Sequence, residues 1–405
     1  MKAAEAVDLD RIPELDGLRG MAILLVLVWH YGVCQIMAGG NLRLVRVVSW
    51  LTLTWSGVDL FFVLSGFLIG GILLDHRGSP GFFRSFYIRR ACRIFPLYFL
   101  LVALGVVGSA LAAVYAVPGL EWLFFDPRPL PLWSFLSFTQ NLVMASWGSF
   151  GPNFLGITWS LAIEEQFYLV LPFLVYFVAP KRLPWVLLAI TGFALVLRAA
   201  ILSWYPGHPA FPGLPAFFLM PSRADALMLG VLGAYGVRNV SLRRFFCNET
   251  LLKWALAALV TGAAFVPRGY LALTSPGMTL FGHLWLALTF LCLLLLTIAG
   301  RGGWAASITR IPQLRSLGQL AYGVYLFHQP VAGTLHALIL NRSPTLSNGA
   351  QLGVTLLSLA VTLVIAKVSW TFFEKRFIDW GHRHRYVTPH AAMHAPLTAE
   401  GANRS

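Results

Sequence analysis

Long apolar stretches separated by short polar segments recur along the whole chain. Each is close to the roughly 20 residues that a helix needs to cross the hydrocarbon core of a bilayer. We count ten such stretches, of which the sixth is the shortest: 15–37, 52–74, 94–117, 157–179, 184–204, 222–238, 250–267, 279–299, 317–340 and 349–373. The pattern therefore predicts an all-α, polytopic membrane protein with about ten transmembrane helices.

The composition agrees with a membrane protein and excludes an ordinary soluble domain. Of the 405 residues, 58% are hydrophobic and only 11% are charged, whereas a soluble protein carries about 25% charged residues. The net charge of +14 could indicate nucleic-acid binding. However, no basic face alternates with aromatic stacking residues in a soluble segment, so we expect no nucleic-acid partner.

The basic residues indicate the orientation in the bilayer. If the N-terminus is inside, most of the 30 Lys and Arg residues fall in inner segments. The outer segments then hold only Arg43, Arg46, Arg128, Arg268 and Arg342. Because basic residues accumulate in cytoplasmic loops, we expect both termini in the cytoplasm. The acid-rich first 14 residues, with no cleavage pattern after the first apolar run, do not resemble a cleavable signal peptide.

The sequence predicts one membrane domain, with no soluble domain and no obvious internal repeat. We expect this domain to span residues 1–380, and residues 381–405, which are polar and contain histidines, to form a disordered cytoplasmic tail. The four cysteines lack metal-ligand spacing, so we expect neither a disulfide nor a metal site.

The first apolar stretch carries three polar residues on one face. At about 100° per residue, Arg19 and His30 point about 20° apart, and Asp16 about 40° from His30. In the simplest interpretation Asp16 caps the helix, Arg19 extends to the membrane surface and His30 is an inert core residue. An imidazole near mid-bilayer is costly, however, and generally faces a protein interior or a wet cavity. We therefore interpret His30 as a functional residue.

A second group of polar residues precedes and enters the third stretch. Arg89 and Arg93 are four positions apart and would share a helix face, with Arg90 beside them. Guanidinium groups bind phosphate through several rigid donors, so this cluster suits an anionic ligand. The alternative is that it only sets topology or contacts lipid headgroups.

Further polar residues lie at depth in four other stretches. They are Asp59, Trp159, Ser160, Glu164, Glu165, Arg223, Asp225, Tyr322, Tyr325 and His328. Such a set can support general acid–base chemistry, but it is equally typical of a proton relay.

Six segments together resemble the acyltransferase-3 family of bacterial membrane O-acyltransferases. They read PELDGLRGMAILLVLVWH, GVDLFFVLSGFLI, FYIRRACRIFPLY, TWSLAIEEQFYL, PSRADALMLG and LAYGVYLFHQP, in family order. The resemblance implies a bacterial inner-membrane enzyme that uses acyl-CoA as donor. It would transfer an acyl group, usually acetyl, to a hydroxyl of a sugar in a surface polysaccharide, lipid-linked glycan or related acceptor.

The family also implies roles for particular residues. Arg19 and His30 match its signature for activity, and Glu164 and Glu165 match its acidic motif. Its basic motif corresponds to Arg89, Arg90 and Arg93. The chain departs from the family at Ala321, where a serine is frequent, and after Glu374, where a proline is frequent. We expect a stand-alone member without the SGNH-type esterase domain that some members carry.

Together these observations predict a mechanism. Acetyl-CoA would bind at Arg89, Arg90 and Arg93, and His30 would act as general base, oriented by Glu164 or Glu165 and supported by Arg19 and Asp16. An acyl-histidine intermediate is the alternative. We expect the acceptor to contact Asp59, Trp159, Ser160, Arg223, Asp225, Tyr322, Tyr325 and His328.

A different class of protein also fits buried carboxylates and histidines. A proton-coupled exporter or a lipid-linked glycan flippase would carry such residues in its membrane helices. The sequence shows neither two matched halves nor a pair of broken helices, which disfavours a transporter. A non-catalytic sensor or scaffold is disfavoured by the cost of the buried charges.

Overall fold

The computed structural model describes residues 12–40, 42–204, 213–300, 302–384 and 386, and all the regular structure within them is helical. The all-α prediction is confirmed. Ten long helices coincide with the ten predicted stretches, and we number them in chain order. They are α1 Pro13–Leu27, α2 Gly57–Asp75, α3 Phe82–Tyr115, α4 Trp159–Phe177, α5 Leu183–Trp204, α6 Met220–Arg238, α7 Glu249–Ala264, α8 His283–Ala299, α9 Ala321–Leu340 and α10 Gly349–Ser369.

Shorter helical segments extend or connect these helices. Helix α1 continues through a π-helical turn, Val28–Val33, into Cys34–Ala38, and α10 continues through a second, Trp370–Glu374, into Lys375–His382. The 3₁₀ segments are Ser49–Ser56 and Arg268–Leu271, and a third π-helical turn, Met278–Gly282, precedes α8. The remaining α-helical connections are Leu42–Val48, Leu120–Phe124, Leu132–Leu136, Gln140–Trp147, Asn153–Gly156, Leu214–Phe218, Val240–Phe246, Trp304–Thr309 and Pro312–Gln319.

Seven helical segments of the described chain are long and apolar enough to cross a bilayer. They are Pro13–Ala38, Ser49–Asp75, Phe82–Tyr115, Asn153–Phe177, Leu183–Trp204, Met278–Ala299 and Gly349–His382. The other three predicted spans correspond to α6, α7 and α9. Helix α7 is only 16 residues long, and α6 and α9 bury polar residues such as Arg223 and His328. A multi-pass membrane protein is therefore supported, while the count of ten spans and the cytoplasmic termini remain predictions.

Helix α6 lies at the centre of the bundle, against α2 and α5. It approaches α2 so closely that a Cβ at Gly66 would collide with the carbonyl oxygen of Leu227, and one at Gly230 with that of Val63. Small residues commonly allow such contact between helices in membranes, because lipid provides little hydrophobic drive for association. This packing sets α2, and with it α1 and α4, around a common interior.

The long connection between α3 and α4 folds back against the bundle. The sequence allows an interfacial or re-entrant position for residues 133–143, and in the structure this stretch contains parts of two short helices. Gln140 and Asn141 are fully buried there, and their side-chain amides donate to the carbonyl oxygens of Thr158 and Phe218 at 2.9 and 3.0 Å. These bonds tie the connection to the beginning of α4 and to the segment before α6.

The packed structure continues beyond the predicted domain boundary at residue 380. Nε of Arg89 donates to the carbonyl oxygen of His384 at 2.9 Å. The Tyr386 ring stacks on His76, with their centroids 4.1 Å apart. The segment after α10 is therefore held against the beginning of α3. The rest of the predicted tail, residues 387–405, lies outside the described residues.

Candidate active site

Two cavities follow one another along the helix axes. The first, of about 190 Å³, is named the arginine cavity because Arg19, Arg90 and Arg93 line it. The second, of about 360 Å³, is named the tryptophan cavity, and it is lined by Trp29, Trp55, Trp122 and Trp159. Val58 and Tyr325 line both cavities, so these two residues form a shared wall.

The polar residues of α1 divide between the cavities. Arg19 lines the arginine cavity and His30 the tryptophan cavity, and 11 residues of helix correspond to about 16 Å along the axis. Asp16 accepts a hydrogen bond from Arg19 at 2.7 Å. Ile12 holds the N-cap position of α1, without a side-chain cap. The interpretation of Asp16 as a helix cap is therefore wrong, and its carboxylate instead fixes Arg19.

The arginine cavity contains two cations with no carboxylate within ion-pairing distance among the described residues. Arg90 and Arg93, one helical turn apart on α3, form no ion pair with any described residue. Both residues are partly exposed and line the cavity. A bound phosphate would accept charge-assisted hydrogen bonds from their guanidinium groups.

Arg89 does not join them. Its Nε binds the carbonyl oxygen of His384, and its guanidinium lies over the Tyr386 ring, 4.9 Å from the centroid. Helical residues three apart also share a face. In the structure the side chains of Arg90 and Arg93 line the cavity together, whereas that of Arg89 does not. The sequence could not distinguish these pairs, because the choice depends on where the segment after α10 packs.

The two glutamates of α4 also line the arginine cavity. Ser65 donates to Oε1 of Glu164 at 2.9 Å, and the Tyr168 hydroxyl donates to its Oε2 at 3.3 Å. Oε1 of Glu165 is buried without a hydrogen-bond partner among the described residues. Neither carboxylate is bonded to His30, so the structure does not bring the expected glutamate–imidazole pair together.

His30 instead pairs with a histidine on α9. Its Nδ1 lies 3.0 Å from the carbonyl oxygen of Val26 and 3.3 Å from Nε2 of His328. Nδ1 of His328 lies 2.6 Å from the carbonyl oxygen of Tyr325. A carbonyl oxygen only accepts, so in two neutral rings we assign both protons to Nδ1. Nε2 of His328 then accepts from His30, and Nε2 of His30 keeps a free lone pair.

A local change of helix geometry sets the direction of the His30 side chain. Trp29, His30 and Tyr31 lie in the π-helical turn of α1, and such turns occur frequently at functional sites. The Tyr31 hydroxyl donates to the carbonyl oxygen of His328 at 2.7 Å. The turn is therefore fixed to α9 by two adjacent side chains. The sequence predicted a regular α-helix here and gave no sign of the π-helical turn.

Four other predicted residues lie on the cavity walls. The Tyr325 hydroxyl donates to the carbonyl oxygen of Ile157 at 2.9 Å and lies 2.6 Å from the hydroxyl of Ser160, which lines the arginine cavity. Tyr322 lines the same cavity and donates to the carbonyl oxygen of Ile94 at 2.7 Å. Trp159 lines the tryptophan cavity.

Four predicted acceptor-binding residues line neither cavity: His328, described above, and Asp59, Arg223 and Asp225. Asp59 is paired with Arg223 at 2.6 Å, and Asp225 with Arg198 at 2.7 Å, all of them almost completely buried. His283 hydrogen-bonds Arg223 and lies 3.7 Å from Asp59. Arg198 and His283 are not among the residues predicted from the sequence. A lone arginine within an apolar stretch was the available signal, because such a charge requires a partner.

The tryptophan cavity contains further residues that were not predicted from the sequence. Trp29, Trp55 and Trp122 surround it together with Asn153 and Gln329. Nδ2 of Asn153 donates to the carbonyl oxygen of Trp122 at 2.8 Å. Tryptophans are scattered throughout the sequence, and only the fold shows which of them meet. A mainly aromatic cavity with a few polar groups is typical of a small-molecule or ligand site.

The site of this all-helical bundle thus combines a cationic and an aromatic cavity that share a wall, with the imidazole of His30 on the aromatic side. Residues 12–367 match the family model described as an acyltransferase domain. The chain therefore belongs to the acyltransferase-3 family, which confirms the resemblance seen in the motifs.

Curated relatives cover most of this chain. It is 26% identical over 378 residues to the peptidoglycan O-acetyltransferase OatA of Listeria monocytogenes, an alignment that covers 90% of this chain and 55% of the relative. It is 29% identical over 391 residues to the putative peptidoglycan O-acetyltransferase YrhL of Bacillus subtilis, with 92% and 56% covered. The chain thus spans a little over half the length of these relatives. No solved structure matches the chain.

Proposed function

We propose that the protein is a membrane O-acetyltransferase of the bacterial inner membrane. It transfers an acetyl group from acetyl-CoA to a hydroxyl of a glycan acceptor. The observation that carries the proposal is the arrangement of the site: an arginine-lined cavity shares a wall with a tryptophan-lined cavity, and a histidine with a free Nε2 lines the latter. The names of the relatives, which are O-acetyltransferases of peptidoglycan, support both the acetyl group and the glycan acceptor.

The donor binds in the arginine cavity. Coenzyme A is polyanionic, and the guanidinium groups of Arg19, Arg90 and Arg93 offer rigid donors for its phosphates. The slender pantetheine arm then extends toward Val58 and Tyr325, the shared wall. Placing this cavity on the cytoplasmic side agrees with the excess of basic residues in the inner segments, and cytoplasmic acetyl-CoA then enters directly.

The acceptor binds in the tryptophan cavity. Flat aromatic faces can pack against the apolar face of a sugar ring, and a few amide groups can orient its hydroxyls. Asn153 uses its Nδ2 within the protein, which leaves Oδ1 available to accept from a hydroxyl. Gln329, one residue after His328, offers a second amide on the same wall.

His30 performs the proton transfer. Its Nε2 takes the proton from the acceptor hydroxyl while the oxygen attacks the thioester carbonyl carbon, forming a C–O bond. The C–S bond then breaks, and the leaving thiolate of coenzyme A takes up the proton from Nε2. In the alternative route Nε2 attacks the carbonyl first, the C–S bond breaks and coenzyme A leaves as the thiolate. The acceptor hydroxyl then attacks the acyl-histidine, the C–N bond breaks, and the hydroxyl proton passes to the thiolate. Both routes require the same free nitrogen.

The test is an assay of the purified protein in a lipid environment. Free coenzyme A thiol should appear from acetyl-CoA only when a glycan acceptor is present, and mass spectrometry should find the acetyl ester on that acceptor. His30→Ala should remove both signals. Absence of thioester consumption with every glycan fraction tested, combined with proton-dependent glycan movement in vesicles, would favour the exporter or flippase instead.

A further inference from the structure

We propose that His328 is a positioning residue, which holds the ring and the proton of His30 so that Nε2 faces the acceptor. This inference rests on the proposed function and assigns a new role within it. From the sequence, His328 belongs to a set of deep polar residues and is expected to contact the acceptor. However, His328 lines neither cavity and is completely buried, so it has no surface with which to touch a substrate.

The position of His328 is fixed from two directions. Its own Nδ1 donates to the carbonyl oxygen of Tyr325, one turn earlier in α9, at 2.6 Å. Its backbone carbonyl oxygen accepts from the Tyr31 hydroxyl at 2.7 Å, and that hydroxyl also meets Thr362 of α10 at 2.9 Å. The ring is thus anchored within its own helix, and its backbone is anchored to two others.

With these hydrogen bonds formed, Nε2 is the only ring nitrogen of His328 that remains to bond His30. Because Nδ1 carries the proton, Nε2 presents a lone pair, and it lies 3.3 Å from Nδ1 of His30. Nδ1–H of His30 therefore has two acceptors, the carbonyl oxygen of Val26 at 3.0 Å and the imidazole of His328. Rotation of the His30 ring by half a turn, which would direct Nε2 away from the cavity, would lose both.

The hydrogen bond between His30 and His328 becomes stronger during the reaction. When Nε2 of His30 takes the proton from the acceptor, the ring becomes an imidazolium with two N–H donors. Its hydrogen bond to Nε2 of His328 is then charge-assisted, and such bonds are roughly twice as strong as neutral ones. The interaction thus stabilises the charged state that forms in the transition state, which is the role of the orienting carboxylate in a Ser-His-Asp triad. Here a neutral imidazole takes that place.

The experiment compares three substitutions of His328 in the full-length protein. In His328→Gln the amide oxygen can occupy the place of Nε2 and still accept from His30. In His328→Asn the amide lies nearer the backbone, at the place of Nδ1, and cannot reach. His328→Leu removes both interactions. The matched control is His336→Leu, because His336 is equally buried on the same helix, bonds Thr355 at 3.1 Å and lines neither cavity.

We expect kcat to fall about 10- to 100-fold in the Asn and Leu variants, from the loss of one charge-assisted hydrogen bond. The Gln variant should stay within a few-fold of the parent protein. The KM values for acetyl-CoA and acceptor should not change, because both cavities keep their walls. Activity per folded molecule should be normal in His336→Leu. Equal kcat values for the Gln and Asn variants, or an effect on KM alone, would overturn the proposal.

A second measurement does not depend on whether these variants fold. Nitrogen-15 NMR of the unmodified protein, labelled in its histidine rings and assigned with His30→Ala, distinguishes protonated from unprotonated ring nitrogens. We expect the proton of His30 on Nδ1, and a proton on Nε2 would overturn the inference. If His30→Ala is fully active, the proposed function fails. If His30→Ala is inactive and His328→Asn is fully active, only the role of His328 fails.

Discussion

Nδ1 of His30 lies 3.3 Å from Nε2 of His328, although 298 positions separate the two residues in sequence. The contact joins the π-helical turn of the first helix to the middle of α9. It leaves Nε2 of His30 without a partner in the described part of the chain, at the wall of the tryptophan cavity. This relationship makes His30 the most informative residue to change.

We expect His30→Ala to abolish acetyl transfer while the protein still inserts in the membrane at normal abundance. Removing a general base costs about 10²- to 10⁴-fold in rate, and removing a nucleophile costs more. Acceptor acetylation by mass spectrometry, normalised to protein in the membrane fraction, measures the effect. A normally inserted variant with full activity would rule out a catalytic role. A loss of folded protein in proportion to activity would support the core-residue interpretation.

The arginine cavity makes a prediction about donor affinity. Arg90→Ala and Arg93→Ala should each weaken acetyl-CoA binding about 10- to 100-fold, from loss of about 1.5–3 kcal/mol in charge-assisted hydrogen bonding. The corresponding lysine variants keep the charge without the fork and should be intermediate. Titration with acetyl-CoA at matched protein abundance provides the measurement.

Arg89→Ala is the matched control for these variants. It removes a neighbouring charge whose guanidinium faces His384 and Tyr386 instead of the cavity. Donor affinity should therefore change little, and the segment after α10 should become more accessible to protease. Equal losses of donor affinity at positions 89, 90 and 93 would contradict the division seen in the structure. No loss at any of them would leave the cluster as an orientation signal.

The buried ion pair of Asp59 and Arg223 is expected to stabilise the fold and not to bind substrate, and the two roles can be distinguished by experiment. Asp59→Asn leaves the charge of Arg223 unpaired in the interior and should cost about 3–5 kcal/mol. Replacing both partners, as Asp59→Leu with Arg223→Met, should restore much of the folded fraction, because an apolar pair needs no compensation. Thermal unfolding in detergent measures the stability of both variants. A stable double variant with a strongly raised acceptor KM would instead establish the substrate-binding role expected from the sequence.

The orientation predicted from the basic residues can be checked independently. Reporter fusions after Arg77, at the end of α2, should report a cytoplasmic position, and fusions after Asn341, at the end of α9, an extracytoplasmic one. The reverse result would place the arginine cavity on the outer side. Cytoplasmic acetyl-CoA could then not reach it directly, and the assignment of donor and acceptor cavities would have to be exchanged.

Much of the architecture followed from the sequence. Each of the ten apolar stretches coincides with a long helix, because hydrophobicity and helix length are local properties that a bilayer selects directly. The cost of a mid-bilayer imidazole marked His30, and the close spacing of Arg89, Arg90 and Arg93 marked a basic cluster on α3, without showing which two of them share a cavity. The family motifs added Glu164 and Glu165, both of which line the arginine cavity.

Only the tertiary structure decided which of these residues meet. It paired His30 with His328 and not with a glutamate, turned Arg89 toward His384, and enclosed Asp59 in an ion pair with Arg223. The physical reason is that such pairings depend on how whole helices are placed and rotated against one another. That placement comes from close packing, as where Gly66 and Gly230 bring α2 against α6. A periodic pattern records which face of a helix is buried, but it does not record which side chain lies opposite.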